Sequence, residues 1–231
     1  SSSLLRFRSH PGQGTRYDGS IRLAIHRRRC PPPRAVDAAG ARANAYGDRV
    51  QPVEVPAGRL LLRPFRPSDA PAVLAACQDA AIQRWTTVPS PYSEGDAVAF
   101  LTEIAPAEWA ADTDTPFAIS GAATGRLLGS IGVHRVDRRH GSAEVGYWVA
   151  AAARGRGVAT EALRAVTSWS FAALGLGRLE LLHAVGNGAS CRVASRAGFR
   201  PEGVLRGRVV VSGARADAEI HGRLAADGPT D

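Results

Sequence analysis

Arg154-Gly155-Arg156-Gly157-Val158-Ala159-Thr160 lies between a run of strand type, Glu144-Val145-Gly146-Tyr147-Trp148-Val149, and a helical segment, residues 161–174. In that segment Leu163, Val166, Trp169 and Ala173 recur at helical spacing. A strand, a Gly-rich turn and a helix in that order make an anion site. Glycines let backbone approach a ligand with no Cβ in the way, and the unpaired N–H groups of the first helical turn point outward at the positive end of the dipole. The ligand such a turn suits is a phosphate or pyrophosphate.

Arg154 and Arg156 add fixed charge, and a guanidinium grips phosphate through two parallel hydrogen bonds. A lone Gly-x-Gly also suits an ordinary loop with two solvated arginines, so the wider pattern has to decide. No Lys-Ser/Thr follows the second glycine, which excludes a Walker loop, and the third glycine and later acidic residue of a dinucleotide fingerprint are missing. At Arg154, Gly157 and Ala159 the loop resembles the pyrophosphate loop, Arg/Gln-x-x-Gly-x-Gly/Ala, of the GNAT acyl-CoA-dependent N-acetyltransferase superfamily.

A chain of 231 residues, 45% hydrophobic, accommodates one large or two small domains and a sizeable core. Its apolar runs, such as residues 150–153 and 60–62, are far too short to span a bilayer, and Leu4-Leu5 is too little for a secretory signal. The expected location is therefore the cytoplasm, with no membrane partner. Cys30, Cys77 and Cys191 are widely spaced, with no Cys-x-x-Cys pair, which predicts neither a disulfide framework nor a metal site. The formal charge of +8 is unevenly placed. Residues 1–50 carry ten arginines against Asp18, Asp37 and Asp48, whereas the remainder balances nineteen arginines with eighteen carboxylates. That distribution argues against nucleic acid as a partner of the folded part.

Residues 1–55 combine Ser, Gly, Arg and Pro31-Pro32-Pro33 with little periodicity, which predicts a basic, disordered arm. Arg27-Arg28-Arg29 suits RNA or an acidic surface, or simply a solvated tail. Beyond the arm, residues 59–65 read as a strand, and Pro67-Ser68-Asp69 as the cap of a helix over 70–77. A second helix over 94–108 is capped by Ser93. The loop between them holds Trp85 and Tyr92, which either line an acceptor pocket or close the core beneath the loop. Strands follow over 116–121, 126–136 and 142–149, the last two joined by a turn at 137–141. After the loop and its helix come a strand over 178–185, a helix over 189–197, and a hairpin of 204–211 with 216–224. The product is an α/β fold whose mixed sheet contains one right-handed crossover, formed by the helix after the glycine loop.

Further matches extend the resemblance. Residues 59–70, Arg-x-x-x-Arg-Pro-x-x-x-x-Asp-Ala, look like the opening of the same superfamily. Asn187-Gly188-Ala189-Ser190, followed by Val193-Ala194-Ser195-Arg196-Ala197-Gly198-Phe199, resembles the Asn-x-x-Ser…Gly-Phe segment of the branch that acetylates protein N-terminal residues. That branch includes ribosomal-protein alanine acetyltransferases. Glu202-Gly203-Val204-Leu205-Arg206-Gly207 continues its pattern, and with Gly146-Tyr147-Trp148 the matches span roughly residues 58–224 in order. One departure is Val209-Val210-Val211, where the ribosomal enzymes can carry a Glu.

The resemblance implies a GNAT acyltransferase fold over 56–226, followed by a tail at 227–231. Its mixed, mostly antiparallel sheet would have splayed central strands flanked by helices, with acetyl-CoA slotted into the gap. It implies that Trp148 and Val149 offer backbone hydrogen bonds to the pantetheine arm, that Arg154, Gly155, Arg156, Gly157, Val158, Ala159 and Thr160 hold the pyrophosphate, and that Asn187 holds the far strand. Ser190 would lie near the thioester sulfur, where its hydroxyl can donate to the leaving thiolate; as a plainer role it would cap the helix beginning at Cys191. Cys191 is not required as a nucleophile, since an amine attacks a thioester directly.

The attacking amine must be neutral, so a base must take its proton. Strand alternation puts Glu144, Gly146 and Trp148 on one face, and a hairpin symmetric about His140 sets His134 opposite Gly146. Glu144 and His134 are the two candidate bases; each also suits an ordinary strand position. The functional expectation is an acetyl-CoA-dependent N-acetyltransferase acting on a primary amine, either a protein N-terminus or a small molecule, as a monomer or homodimer without a metal. The competing readings are a non-catalytic acyl-CoA-binding regulatory module and an RNA-associated factor using the arginine arm.

Overall fold

A short strand pair opens the described part of the chain, which in the computed structural model covers residues 51–228. β1 (Val55–Ala57) and β2 (Leu60–Arg63) meet antiparallel across Gly58, whose φ of 58° suits a residue without a Cβ. From β2 the sheet grows by neighbouring antiparallel strands, β3 (Thr115–Gly121), β4 (Leu127–Asp137) and β5 (Ser142–Val149). β6 (Arg178–Ala184) then joins β5 in parallel, and β7 (Arg200–Val211) and β8 (Ala214–Leu224) complete the order β1-β2-β3-β4-β5-β6-β8-β7. This is the mixed, mostly antiparallel sheet expected from the sequence.

Between β1–β2 and β3 lie four helices, α1 (Ala70–Cys77), α2 (Ala80–Trp85), α3 (Glu94–Ala99) and α4 (Ala105–Ala111). α5 (Val158–Ala173) makes the crossover from β5 to β6, and α6 (Gly188–Arg196) links β6 to β7. α5 turns Val158, Ala162, Leu163 and Val166 onto the sheet, where they meet Phe117, Ile131 and Leu179. Trp109, Phe117 and Trp169 pack edge to face at one end of this core. Ala173, expected on the same stripe, is exposed, and Leu174 is buried instead. A second cluster, with Val73, Cys77, Tyr92, Ala97 and Leu101, lies under α1 and α3.

Three local expectations are corrected. Asp69 makes no side-chain bond to the first turn of α1; it is buried and bonded by both Arg63 guanidinium nitrogens at 2.8 Å and by Arg66 N–H at 2.9 Å. The helix over 94–108 begins as expected, with Ser93 and Asp96 forming a reciprocal cap, but it widens to a π-helix over Phe100–Ile104. Pro106, in the first turn of α4, has no N–H to give Thr102, so the regular ladder is interrupted there. The β4–β5 hairpin is not symmetric about His140. His134 pairs with Glu144 and Gly132 with Gly146, because a bulge between His134 and Asp137, with Arg135 at φ 52°, absorbs the difference.

The expected arm and its Arg27-Arg28-Arg29 run fall mostly outside the described residues, as does the end of the 227–231 tail. Of the arm's last residues, Val53 and Val55 already pack against the main core. Among the described residues, no helix is long and apolar enough to cross a membrane.

Candidate active site

The opening in the sheet follows from how little β5 and β6 share. They pair only at Ser142 with Arg178, Ala143 with Leu179 and Glu144 with Glu180. Beyond Glu144 the partner of β6 is β8 alone, through Ala184 opposite Ala218. Among the described residues, the edge of β5 from Val145 to Val149 is thus left without a strand neighbour on that side. Which backbone groups face the gap is set by alternation. Ala150 N–H bonds Leu128 O on the β4 side, and the Trp148 carbonyl closes on Gly129 of β4. Trp148 backbone therefore faces β4, and Tyr147 and Val149 face the gap. Of the two residues expected to offer backbone bonds there, Val149 is so placed and Trp148 is not.

A cavity of about 420 Å³ occupies the gap, lined by Tyr147, Trp148, Val149, the loop and the first turn of α5, with α2 and α6 on its flanks. Gly155 and Gly157 take φ of 74° and 77°, so the loop turns through two left-handed residues before α5 begins. Among the described residues no side chain caps α5, which leaves the N–H groups of its first turn available to an anion. All seven loop residues except Arg156 line the cavity. Arg156 is exposed and its carbonyl accepts a bond from the Arg59 guanidinium, which also bonds Glu161 in the first turn of α5 at 3.0 Å.

Arg154 is held rather than free. Its Nε donates to Val149 O at 3.0 Å and its Nη2 to Asp79 Oδ1 at 2.6 Å. Asp79 is itself the cap of α2, accepting from Ala81 and Ile82 N–H, and the Arg154 hydrogen bond holds its carboxyl below the usual range. Arg154 therefore ties the loop to α2. That tie, the helix α2 and the brace from Arg59 were not read from the sequence. Asp79 ahead of Ala80-Ala81-Ile82 was the available cap signal.

A second cavity, about 530 Å³, lies on the other side of β5 and is lined by His134, Asp114, Glu108, Glu144, Gly132 and Gly146, among others. His134 Nδ1 lies 2.8 Å from Asp114 Oδ1. The hydrogen bond from His134 keeps Asp114 below the usual carboxylate range, while burial, then the Asp114 charge, pushes Glu108 up. The imidazole lies across two glycines: a Cβ at Gly132 or Gly146 would sit 3.0 and 3.4 Å from Nε2. The ring thus reaches Gly146 as expected, by a different register. Glu144 Oε1 accepts from Arg135 at 2.8 Å and from Arg208 at 3.4 Å, so its carboxylate is shared between two arginines.

The two cavities meet. Trp85, Thr86, Tyr147, Trp148, Asn187 and Ser190 line both. At that boundary Tyr147 O–H donates to Ser190 Oγ at 3.2 Å, and burial raises the Tyr147 pKa, so the hydroxyl stays protonated. Asn187, not Ser190, caps α6: its Oδ1 accepts from Ser190 N–H at 3.2 Å, which leaves the Ser190 hydroxyl unused by the helix. Trp85 lines both cavities with Arg84 stacked 4.5 Å from its ring centroid. Tyr92, the other residue expected at an acceptor pocket, is buried in the second core cluster instead.

A split sheet with a glycine loop at its mouth defines an acyltransferase of the GNAT type. Residues 59–200 match the family described as Acetyltransferase (GNAT) domain, and the chain belongs to that family of N-acetyltransferases. YoaA of Bacillus subtilis (strain 168), an uncharacterized N-acetyltransferase, is 30% identical over 163 residues, which are 71% of this chain and 92% of YoaA. The ribosomal-protein-serine acetyltransferase of Escherichia coli (strain K12) is 31% identical over 98 residues, 42% of this chain and 55% of that enzyme. Among solved structures, Mycobacterium smegmatis RimJ in complex with CoA-disulfide superposes with a TM-score of 0.67 at 30% identity, covering 80% of this chain and 91% of RimJ.

Proposed function

We propose that this chain holds acetyl-CoA in the β5–β6 gap and passes its acetyl group directly to a primary amine, with residues 56–226 as the acetyltransferase domain. The amine enters through the second cavity, and no covalent enzyme intermediate forms. The observation that carries this reading is the shared boundary of the two cavities at Tyr147 and Ser190. The pyrophosphate rests on the uncapped first turn of α5, and the pantetheine arm runs along the edge of β5 that β6 does not pair, where Val149 O already accepts from Arg154. The ribosomal-protein relative favours a polypeptide α-amine as acceptor.

The amine nitrogen attacks the thioester carbonyl, the C–S bond breaks, and the leaving thiolate accepts a hydrogen bond from the Ser190 hydroxyl, which itself accepts one from Tyr147 O–H, before taking a proton from solvent. The ammonium formed on the amine must lose one proton. With Nδ1–H given to Asp114, His134 keeps a lone pair on Nε2 and takes that proton, directly or through water. Asp114, held as a carboxylate, lies beside His134 in this cavity, which suits a cationic acceptor before it is deprotonated. The assignment of the base to His134 rather than Glu144 rests on the two arginines that already engage Glu144.

Release of free thiol from acetyl-CoA, followed across a panel of peptides with different N-terminal residues and of small amines, tests the proposal. Amine-dependent thiol release, with the acetyl group located on the amine by mass spectrometry, is expected. Binding of acetyl-CoA with no thiol release for any amine would overturn it.

A further inference from the structure

On the far side of Ser190, four side chains from three elements converge: His183 of β6, Cys191 of α6, and Glu219 and His221 of β8. One nitrogen, sulfur or carboxylate oxygen from each lies within 4.8 Å of the others. Both imidazoles are buried, and Glu219 and Cys191 are half-buried. Nothing in the acetyl-transfer chemistry uses this group.

Proton counting shows what the cluster lacks. His183 Nδ1 lies 3.1 Å from the Ala184 carbonyl, which can only accept, so Nδ1 carries the hydrogen and Nε2 carries a lone pair. That lone pair faces His221 Nε2 at 3.1 Å, and Glu219 Oε2 lies 3.7 and 3.8 Å from the two nitrogens. A neutral His221 ring has one hydrogen to place. If that hydrogen is on Nε2, one proton serves two acceptors, His183 Nε2 and Glu219 Oε2, and His221 Nδ1 is a buried atom with no hydrogen-bond partner among the described residues. If it is on Nδ1, two lone pairs face each other. Either way the centre is rich in electron-pair donors and poor in protons, with a thiol beside it.

We propose that His183, Cys191, Glu219 and His221 form a binding site for a divalent transition-metal ion of the zinc class. A tetrahedral ion with nitrogen and oxygen ligands at about 2.0–2.2 Å and sulfur at about 2.3 Å sets its donors about 3.3–3.6 Å apart. The separations of 3.1, 3.7 and 3.8 Å among His183, Glu219 and His221 bracket that range, and the Cys191 sulfur lies within 4.8 Å of all three. Mixed imidazole, thiolate and carboxylate donors favour zinc over magnesium or calcium, which take oxygen. The bond from His183 Nδ1 to the Ala184 carbonyl is the outer-shell contact that orients a ligating imidazole. With four protein ligands the ion is structural. It fastens α6, and with it Ser190, to β8 at the edge of the acceptor cavity that His183 lines. Local spacing in the sequence gives no sign of this group, because its members are brought together only by the β6–β8 pairing and the first turn of α6.

Cobalt(II) titration of the full, tag-free chain provides the test. One equivalent is expected to give the intense visible bands of tetrahedral cobalt and a near-ultraviolet thiolate-to-cobalt band, and one equivalent of zinc is expected to displace both. Cys191→Ser should abolish the thiolate band, and His221→Asn should weaken cobalt binding by more than the roughly 10–100-fold that loss of an outer-shell partner costs. Cys30→Ser and Cys77→Ser should leave the thiolate band unchanged. Zinc should also raise the thermal midpoint of the wild type but not of Cys191→Ser, with circular dichroism of both used to check that the variant folds. Absence of tetrahedral bands in the wild type, persistence of the thiolate band in Cys191→Ser, or its loss in Cys30→Ser would each overturn the site. Thiol release from acetyl-CoA is a separate assay, so this site stands or falls apart from the acetyl-transfer proposal.

Discussion

Two hydroxyls and one imidazole carry the proposed chemistry, and their roles separate by kinetics. Ser190 stands where the cavities meet, hydrogen-bonded to Tyr147 and free of capping duty. Its bond to sulfur develops fully only as the thiolate leaves. Ser190→Ala should therefore keep acetyl-CoA affinity within a few fold by calorimetry while turnover falls; equal losses in both would mark Ser190 as structural. Tyr147→Phe should act in the same direction. For the base, His134→Gln removes the Nε2 lone pair, and general bases contribute typically about 10²-fold or more. A loss near that size at neutral pH, recovering as rising pH delivers more neutral amine, is expected in the pH profile of kcat/KM. Glu144→Gln should lower kcat/KM far less, because two arginines already engage that carboxylate. The opposite pattern, with pH rescue confined to Glu144→Gln, would transfer the role to Glu144.

At the scale of elements, the loop and the entry to α1 each depend on charge placed where backbone needs it. Gly157 begins α5 at φ 77°, and a Cβ there would meet only Arg59 Nη2 at 3.7 Å, so the obstacle to a side chain is the torsion and not crowding. Gly157→Val should weaken acetyl-CoA binding more than Arg154→Ala, with about 1–3 kcal/mol of backbone strain behind it. Calorimetry on both decides. Since Arg154 bonds Asp79 and Val149 O, its removal should also loosen α2, seen as faster amide exchange there. The Arg63–Asp69 pair is buried on both sides. Burial alone would raise the Asp69 pKa, but the Arg63 and Arg66 hydrogen bonds bring it below the usual value. The stability it contributes is therefore full above the ordinary carboxylate range and is lost as pH falls through the lower folded value. Asp69→Asn should cost about 3–5 kcal/mol at neutral pH by leaving a buried guanidinium uncompensated. Its denaturation midpoint should also depend less on acid than that of the wild type.

For the molecule as a whole, what was legible in the sequence was what is local along the chain. The strand, glycine turn and helix around residues 154–160 lie within one stretch, so the turn and the crossover could be read directly, and the hydrophobic spacing gave most strands to within a residue or two. What escaped was set by contacts between distant segments. Asp114 reaches His134 across the β3–β4 hairpin, Arg154 reaches Asp79 on another helix, and the bulge at Arg135 changes a register that counting alone made symmetric. Tyr92 carries the same aromatic signal as Trp85, and only packing against Cys77 and Val73 distinguishes the core residue from the cavity residue. Every described residue that lines either cavity lies at or beyond Ala81, so a chain lacking residues 1–50 should keep its acetyl-CoA affinity in calorimetry. The central claim is that both substrates are present together, acetyl-CoA in the gap and the amine in the second cavity, when the acetyl group moves. Initial rates with acetyl-CoA and amine varied against each other test it most directly. Intersecting double-reciprocal lines are predicted; parallel lines, with acetylated protein accumulating in the absence of amine, would contradict it.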